Sequence, residues 1–424
     1  MAGGGPSGRV RSIVGGSIGN LVEWYDWYVY SAFSLYFARS FFPAGDQTAQ
    51  LLNAAAVFAI GFLMRPVGGW LLGLYADRHG RKAALTLSVL LMCSGSAVIA
   101  LTPSYAAIGV AAPVLLVLAR LLQGLSVGGE YGASATYLSE MATPRNRGFL
   151  ASFQYVTLIM GQLLALAVLL GLQSTLSDDQ LHGWGWRIPF AVGAVLALVA
   201  LRLRRSLVET EAFAQVADTE RRGVMQLIAE HRGAVLLVVG LGAGGSLAFY
   251  TFTTYMQKFL VNTVGWSKAD ASLVAAATLV VYMLIQPLFG ALSDRIGRRP
   301  LLIVFGALGL VGTVPLMTAL AATTSRLSAF VLILAALTVL SCYTAIGGLV
   351  KAEMFPANVR ALGVGLPYAI SVSLFGGTAE YVALWAKSAG HEPWFYWYVS
   401  ATIGVSLIVA ILLPDTRKNS LISN

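Results

Sequence analysis

Twelve apolar stretches follow one another along the 424-residue chain, and each is long enough to cross a lipid bilayer. A membrane-spanning helix needs about 20 mostly apolar residues. The predicted spans are residues 12–38, 52–76, 83–102, 111–140, 148–171, 187–204, 233–262, 271–291, 300–321, 328–352, 361–386 and 394–413. Charged residues make up 11% of the chain, whereas soluble domains carry about 25%. The sequence therefore predicts an all-α membrane protein with twelve transmembrane helices.

A short basic loop after the second apolar stretch returns after the eighth. The first copy contains Gly73, Asp77, Arg78, Gly80 and Arg81. The second copy, 217 residues later, contains Gly290, Asp294, Arg295, Gly297 and Arg298. Because the copies are half a chain apart, we predict two homologous halves. The expected division is a six-helix bundle in residues 1–204, a central loop in 205–232 and a second six-helix bundle in 233–424.

Two further charged segments close the fourth and tenth predicted helices on the same side as these loops. The first segment contains Glu140 and Arg147, and the second contains Glu353 and Arg360. Acids and arginines at fixed spacing predict a gate of ion pairs with the repeated loops, and exposed pairs of this kind contribute up to about 1 kcal/mol each. The alternative is that these charges only orient the helices in the membrane.

The distribution of lysine and arginine predicts how the chain lies in the membrane. With the N-terminus in the cytoplasm, 20 of the 28 basic residues fall on the cytoplasmic side, Lys351 among them, and six fall outside, Lys258 among them. Cytoplasmic loops of membrane proteins carry such an excess. We therefore expect both termini and the central loop in the cytoplasm. The net charge of +9 follows from the same loops and does not indicate nucleic-acid binding.

Ionisable residues inside a bilayer are costly, so each is a functional candidate. The first helix carries Asn20, Glu23, Asp26 and Tyr30 at a spacing that places them on one side. Two carboxyl groups one turn apart and away from water repel each other, so we expect at least one to take up and release protons. The alternative is a fixed ion pair between Asp26 or Glu23 and an arginine.

Arg65 lies near the middle of the second helix, between Gly61 and Gly69. A guanidinium group is a planar fork that fits a carboxylate, and neighbouring glycines leave room beside it. Two interpretations are open: Arg65 binds an anionic substrate, or it is permanently paired with Asp26. Both interpretations hold together if the substrate competes with Asp26 for Arg65.

The fourth helix carries a polar side and a stripe of glycines. Arg120 and Glu130 predict either a proton relay or a buried structural pair, and Gln123 lies on the same side of the helix. Gly124, Gly128 and Gly132 recur every fourth residue, which predicts close helix packing.

Further polar side chains fall in the fifth and seventh helices. Gln154 and Gln162 are hydrogen-bonding candidates, for substrate or for a neighbouring helix. In the seventh helix one face carries Ser246, Tyr250, Thr253 and Gln257, as expected for a helix that lines a pathway. Lys258 follows near the outer end, where it attracts anions or extends to the membrane surface.

Both copies of the loop follow the pattern Gly-x-x-x-Asp-Arg-x-Gly-Arg-Arg/Lys, and with Arg120-Leu-Leu-Gln123-Gly124 they resemble the major facilitator superfamily. Within it, the segments 19–28 (containing Asn-Leu-Val-Glu-Trp), 62–66 and 124–132 are similar to the metabolite:proton symporter family. Segments 153–155, 184–190, 251–258 and 351–356 resemble dicarboxylate-transporting members of that family.

The resemblance implies two six-helix bundles related by a pseudo-two-fold axis, with substrate bound between them. It adds Tyr25 and Tyr28 to the expected substrate-binding residues, which also include Arg65, Gln123, Gln154, Gln162, Tyr250, Gln257 and Lys258. The charged residues inside the predicted helices, Asp26, Glu23, Glu130 and Arg120, are the expected proton-coupling residues.

The implied activity is proton-coupled import of a small dicarboxylate, first of all 2-oxoglutarate, across a bacterial inner membrane by a monomer. The expected partners are the organic acid, protons and the lipid bilayer, and no cofactor, metal ion or enzymatic activity is expected. Shikimate, citrate, another organic acid, proline or betaine remain alternative substrates. A passive facilitator remains the alternative mechanism.

Overall fold

A computed structural model describes the backbone of residues 6–79, 81–128, 130–140, 142–143, 145–205, 224–356, 359–417 and 419–422. Within these ranges it describes all side chains except those of residues 6–19, 73, 74, 76–85, 130, 133, 134, 137, 140, 200, 201, 203–205 and 224–228.

Twelve membrane-length spans, all helical, run through the described ranges. Their bounds are α1 (Pro6–Phe41), α2 (Gln47–His79), α3 (Arg81–Leu101), α4 (Ala111–Val127 and Glu130–Glu140), α5 (Arg147–Thr175), α6 (Arg187–Arg205), α7 (Val224–Phe249, Tyr250–Tyr255 and Met256–Asn262), α8 (Lys268–Ile296), α9 (Arg298–Ala321), α10 (Arg326–Thr344 and Gly347–Glu353), α11 (Arg360–Ser371, Val372–Gly376 and Ala379–Ser388) and α12 (Pro393–Leu412). The twelve-helix prediction is confirmed, and each predicted span lies inside an observed helix to within one residue.

Four spans are interrupted, which hydropathy alone does not predict. Wider π-helical turns occupy Tyr250–Tyr255 in α7 and Val372–Gly376 in α11. The helices of α4 and α10 each break into two segments, after Val127 and after Thr344. Such π turns are frequent at functional sites, and broken helices in transporters commonly surround the substrate.

The glycine stripe of α4 packs against α2, as predicted. A methyl group at Gly124 would collide with the carbonyl oxygen of Gly61, and one at Gly128 with that of Arg65. Gly132, one turn further on, would instead meet the carbonyl oxygen of Ala361 in α11. The stripe therefore makes two contacts. Gly124 and Gly128 pack against α2 within the first bundle, and Gly132 packs against α11 of the second bundle.

Helices α1–α6 form one bundle and α7–α12 the other. They meet most extensively along α5 and α8, which run antiparallel: Gly148 lies beside Gly290 at one end, and Gln173 donates to Ser272 over 3.3 Å at the other. We name the two sides of the protein after α8, which begins at the Lys268 face and ends at the Asp294 face. At the Lys268 face, Lys268 also forms a 3.1 Å ion pair with Asp178 of the first bundle, so the bundles touch on both sides.

Candidate functional site

A small cavity lies between the bundles near the middle of the protein. Helices α1, α2 and α4 contribute Asn20, Glu23, Trp24, Arg65, Val127, Gly128 and Tyr131, and α11 contributes Gly365, Tyr368 and Ala369. The cavity therefore combines one arginine, one carboxylate, one amide and three aromatic side chains on helices of both bundles.

Arg65 is the cation of this cavity. Its side chain is 4% exposed, and its guanidinium carbon lies 4.3 Å from the ring centre of Trp27 and 4.2 Å from that of Phe62. Among the described residues, Nε and Nη2 have no hydrogen-bond partner. Aromatic rings attract a cation without neutralising it, and unpaired buried donors cost free energy. Arg65 thus has two donors that an anion in this cavity can use.

Asp26 lies elsewhere in the first bundle. Its Oδ2 accepts a 2.9 Å hydrogen bond from Ser96 of α3, while its Oδ1 has no partner in the described part of the chain. A methyl group at Gly193 of α6 would collide with that Oδ1. The structure contains no ion pair between Asp26 and Arg65, two side chains that it describes in full. The Asp26–Arg65 ion pair, which was one of the two interpretations of Arg65, is therefore not formed in this conformation.

Arg120 and Gln123 extend the surroundings of Asp26. Arg120 is fully buried, with its guanidinium carbon 3.9 Å from the ring centre of Trp27, and its Nη1 donates to Gln123 over 2.7 Å. Gln123 in turn donates to Ser96 over 2.9 Å, and Ser96 donates to Asp26. A continuous chain of hydrogen bonds thus links Arg120 to Asp26 inside the first bundle, and Gln123 belongs to this chain and not to the cavity lining.

The remaining predicted residues of α1 divide between the cavity and the packing around it. Glu23 lines the cavity beside Arg65. The Tyr25 hydroxyl donates to the carbonyl of Pro189 over 2.9 Å, within the first bundle. The Tyr28 hydroxyl reaches across to the carbonyl of Thr253 in α7, over 3.4 Å. The side chain of Glu130 lies outside the described residues.

Several polar atoms in α5 and α7 are buried without partners among the described residues. They are Gln154 Nε2, Gln162 Oε1, Ser246 Oγ, Tyr250 Oη and Gln257 Oε1. Buried polar groups are normally hydrogen-bonded to protein or ordered water. Their presence on α5 and α7 is what a water-filled or substrate-filled pathway between the bundles requires.

Lys258 is buried, so the alternative in which its side chain extends to the membrane surface is wrong, and its role in substrate binding stays a prediction. It is fully buried and forms a 2.5 Å ion pair with Glu380 of α11. Lys258 also donates to Ser31 of α1 over 2.6 Å, and Ser31 donates to Glu380 over 3.1 Å. The network therefore joins two helices of the second bundle to one of the first. Hydropathy could not find it, because Lys258 and Glu380 are far apart in sequence.

Lys351 was counted among the cytoplasmic charges, and this assignment is also wrong. It lies in the last segment of α10 and is fully buried among tyrosines. The error arose because a basic residue near the end of an apolar run was taken as a boundary. Its position two residues before Glu353, inside the apolar run, was the available signal.

At the Asp294 face, the second copy of the repeated loop closes onto the first bundle. Asp294 Oδ1 accepts from the Gly148 amide over 2.8 Å, and Oδ2 accepts from the Phe149 amide over 3.0 Å. These amides belong to the first turn of α5, where helices carry unsatisfied donors and partial positive charge. The contact that Asp294 makes across the bundles is thus that of a carboxylate on a helix end.

The other gate residues support this contact from within the second bundle. Arg298 pairs with Asp294 over 3.0 Å and with Glu353 over 3.6 Å. Glu353 also accepts from Thr416 over 2.5 Å. The other gate residues at this face include Arg147, the first residue of α5, and Gly297, with φ of 98°. Arg360 donates to the carbonyl of Leu421. The carbonyl of Arg295 accepts from Arg417.

The corresponding residues of the first half cannot be placed in the same way. Gly80 and the side chains of Asp77, Arg78, Arg81 and Glu140 lie outside the described residues, as does position 73 beyond its backbone.

We expect Asp294→Asn to open the Asp294 face. The substitution removes the charge that stabilises the start of α5, an effect of about 1–2 kcal/mol in a partly buried geometry, and so raises the open population about five- to thirtyfold. The measurement is maleimide labelling of a cysteine placed at buried Ser152, in a background without Cys93 and Cys342.

Asp270→Asn is the control for this measurement. Asp270 pairs with Arg326 over 2.8 Å within the second bundle, so labelling should stay at the native level. Equal labelling of the Asp294→Asn and native proteins would show that Asp294 does not hold the face closed.

Comparison with known proteins agrees with this architecture. The profile of the sugar (and other) transporter family matches residues 13–223 and again residues 202–423. The alpha-ketoglutarate permease of Escherichia coli (strain K12) is 58% identical over 97% of this chain and 95% of the permease. The citrate-proton symporter of Salmonella typhi is 37% identical over 88% of this chain and 86% of the symporter.

Solved structures of similar fold include the xylose transporter XylE from E. coli in a partially occluded inward-open conformation. The TM-score is 0.75 at 21% sequence identity, over 94% of this chain and 95% of that chain. This likeness shows the fold, and the sequence matches show the family. The chain is therefore a multi-pass membrane transporter, not an enzyme, and belongs to the sugar (and other) transporter family within the major facilitator fold.

Proposed function

We propose that this protein is a proton-coupled symporter that imports 2-oxoglutarate across a bacterial inner membrane. The carrying observation is the buried guanidinium of Arg65, which lies in a cavity between the bundles with two nitrogens that have no hydrogen-bond partner among the described residues. A carboxylate accepts two parallel hydrogen bonds from such a group. The name of the 58%-identical relative, alpha-ketoglutarate permease, supports the same class of substrate.

Transport proceeds by alternating access. The bundles, divided at 1–204 and 233–424 with 205–232 between them, rock about the α5–α8 contact. The Asp294 face lies in the cytoplasm together with both termini, in line with the excess of basic residues on that side. A single chain contains both halves of the site, so the monomer is the transporting unit within the bilayer.

Proton coupling rests on the carboxyl groups of α1. Asp26 is buried, has one oxygen without a partner in the described residues, and connects through Ser96 and Gln123 to Arg120. Glu23 lines the cavity that contains Arg65. A proton on either group removes a negative charge near the substrate. Because these groups are buried in a region of low dielectric constant, such a change in charge has a large effect on anion affinity.

The test is uptake of labelled 2-oxoglutarate into proteoliposomes, with and without an inward proton gradient. We expect accumulation above the external concentration only with the gradient. The matched variant Glu23→Gln/Asp26→Asn is expected to equilibrate substrate without accumulating it. Equilibration by the native protein would indicate a passive facilitator. Absence of 2-oxoglutarate uptake, together with gradient-driven uptake of citrate, shikimate or betaine, would overturn the substrate.

A further inference from the structure

Lys351 is a fully buried lysine that the functional assignments above do not use. It lies in the Gly347–Glu353 segment of α10, and its exposed fraction is 0%. Lysine is almost never fully buried unless it is paired. None of the carboxylates that the structure describes forms an ion pair with it, and the side chain of Glu130 is not among those described.

Three tyrosines surround the ammonium group. Its nitrogen lies 4.0 Å from the ring centre of Tyr368, 5.2 Å from that of Tyr131 and 5.7 Å from that of Tyr343. It donates one hydrogen bond, to the Tyr131 hydroxyl over 3.3 Å. An ammonium group has three donors, so this cage holds the cation in place, and within the described part of the chain it leaves donors available to an anion.

Two of these tyrosines also line the cavity of Arg65. Tyr131 of α4 and Tyr368 of α11 stack across the bundle interface, with ring centres 3.6 Å apart. Lys351 therefore contacts the same two rings that line the cavity of Arg65. One cation comes from the first bundle and the other from the second.

We propose that Lys351 binds the second carboxylate of the substrate while Arg65 binds the first, and that the Tyr131–Tyr368 pair parts to admit it. The inference rests on the proposed function, because it needs a substrate with two carboxylates. It makes Lys351 the residue that selects dicarboxylates over monocarboxylates. It also lets bound substrate draw the bundles together, because each bundle contributes one cation.

The test compares two ligands that differ only at one end. In 2-oxopentanoate, a methyl group stands where 2-oxoglutarate has its second carboxylate. Dissociation constants are measured by calorimetry for the native protein, Lys351→Gln, Lys351→Arg and the control Arg202→Gln, whose side chain is exposed at the end of α6. Thermal unfolding of each variant checks that it is folded.

Native protein should bind 2-oxoglutarate more tightly than 2-oxopentanoate. Lys351→Gln is expected to weaken 2-oxoglutarate binding at least about thirtyfold and to change 2-oxopentanoate binding less than about threefold. Lys351→Arg should keep most of the preference, and Arg202→Gln all of it.

Other results would overturn the proposal. An equal loss for both ligands in Lys351→Gln would mean that Lys351 only supports the tyrosine cage. If Glu130→Gln and Lys351→Gln lowered the unfolding temperature alike and left the preference intact, Lys351 would be a structural partner of Glu130. If native protein bound neither ligand but bound citrate, shikimate or betaine, the proposed substrate would fail and this inference with it.

Discussion

Arg65→Gln is expected to reduce 2-oxoglutarate binding more than about a hundredfold and to abolish uptake. Removing one partner of a desolvated, hydrogen-bonded charge pair costs about 2–5 kcal/mol, and every 1.4 kcal/mol is tenfold in affinity. Arg65 is buried beneath Trp27 and Phe62, so water cannot replace the lost donors cheaply. Binding by calorimetry and substrate exchange in proteoliposomes without a proton gradient measure the two effects.

Arg65→Lys separates charge from geometry. It keeps the positive charge but loses the planar fork, so we expect an intermediate loss of affinity. Arg326→Gln is the control, because Arg326 is 63% exposed and pairs only with nearby Asp270 in the described structure. Native-like affinity in Arg65→Gln would identify Arg65 as a packing residue and remove the observation on which the proposed substrate class depends.

Lys258→Gln is expected to destabilise the folded protein by about 3–5 kcal/mol, because it leaves Glu380 buried without its cation. Glu380→Gln should have a similar effect for the converse reason. The double variant Lys258→Gln/Glu380→Gln should recover most of the loss, since two neutral amides can bond each other and Ser31. Thermal unfolding in detergent, followed by tryptophan fluorescence, measures all three.

Transport by the double variant then decides what Lys258 does. We expect turnover to change and KM to stay within about threefold, because Lys258 is already paired with Glu380 and Ser31 at 2.5 and 2.6 Å. A large rise in KM would instead support direct contact between Lys258 and substrate, as the sequence suggested. Additive stability losses in the double variant would contradict the pair.

The helices were predictable because bilayer thickness fixes the length of an apolar run. Arg65 stood out for a similar reason, since an arginine in the middle of such a run has few uses other than binding. The partners of Asp26 were not predictable: Ser96 and Gln123 are ordinary polar residues until α1, α3 and α4 are packed together. Periodicity also gave no sign of the π turn at Tyr250–Tyr255, which changes the face that the following residues present.

The contacts at the Asp294 face were predictable only in part. Charged residues at matching positions suggested acid–arginine pairs, and Asp294 does pair with Arg298 within the second bundle. Asp294 contacts the first bundle through backbone amides. Because such amides occur along the whole chain, the sequence gives no sign of this contact. Lys351 was missed because a positive charge near the end of a helix usually only orients the helix in the membrane. Its burial among three tyrosines becomes visible only in the folded structure.

The placement of Arg65 and Lys351 has a consequence for the electrical behaviour of the carrier. A charge that crosses the whole membrane exchanges about 2.3 kcal/mol per 100 mV with the membrane potential. Two fixed positive charges cancel a bound dianion, so the loaded site is nearly neutral when Glu23 and Asp26 carry protons. In the empty site the two carboxylates, once they have released those protons, cancel the same two charges. The two states that cross the membrane then differ little in charge, so we expect the membrane potential to have a small effect on turnover and to leave substrate affinity almost unchanged.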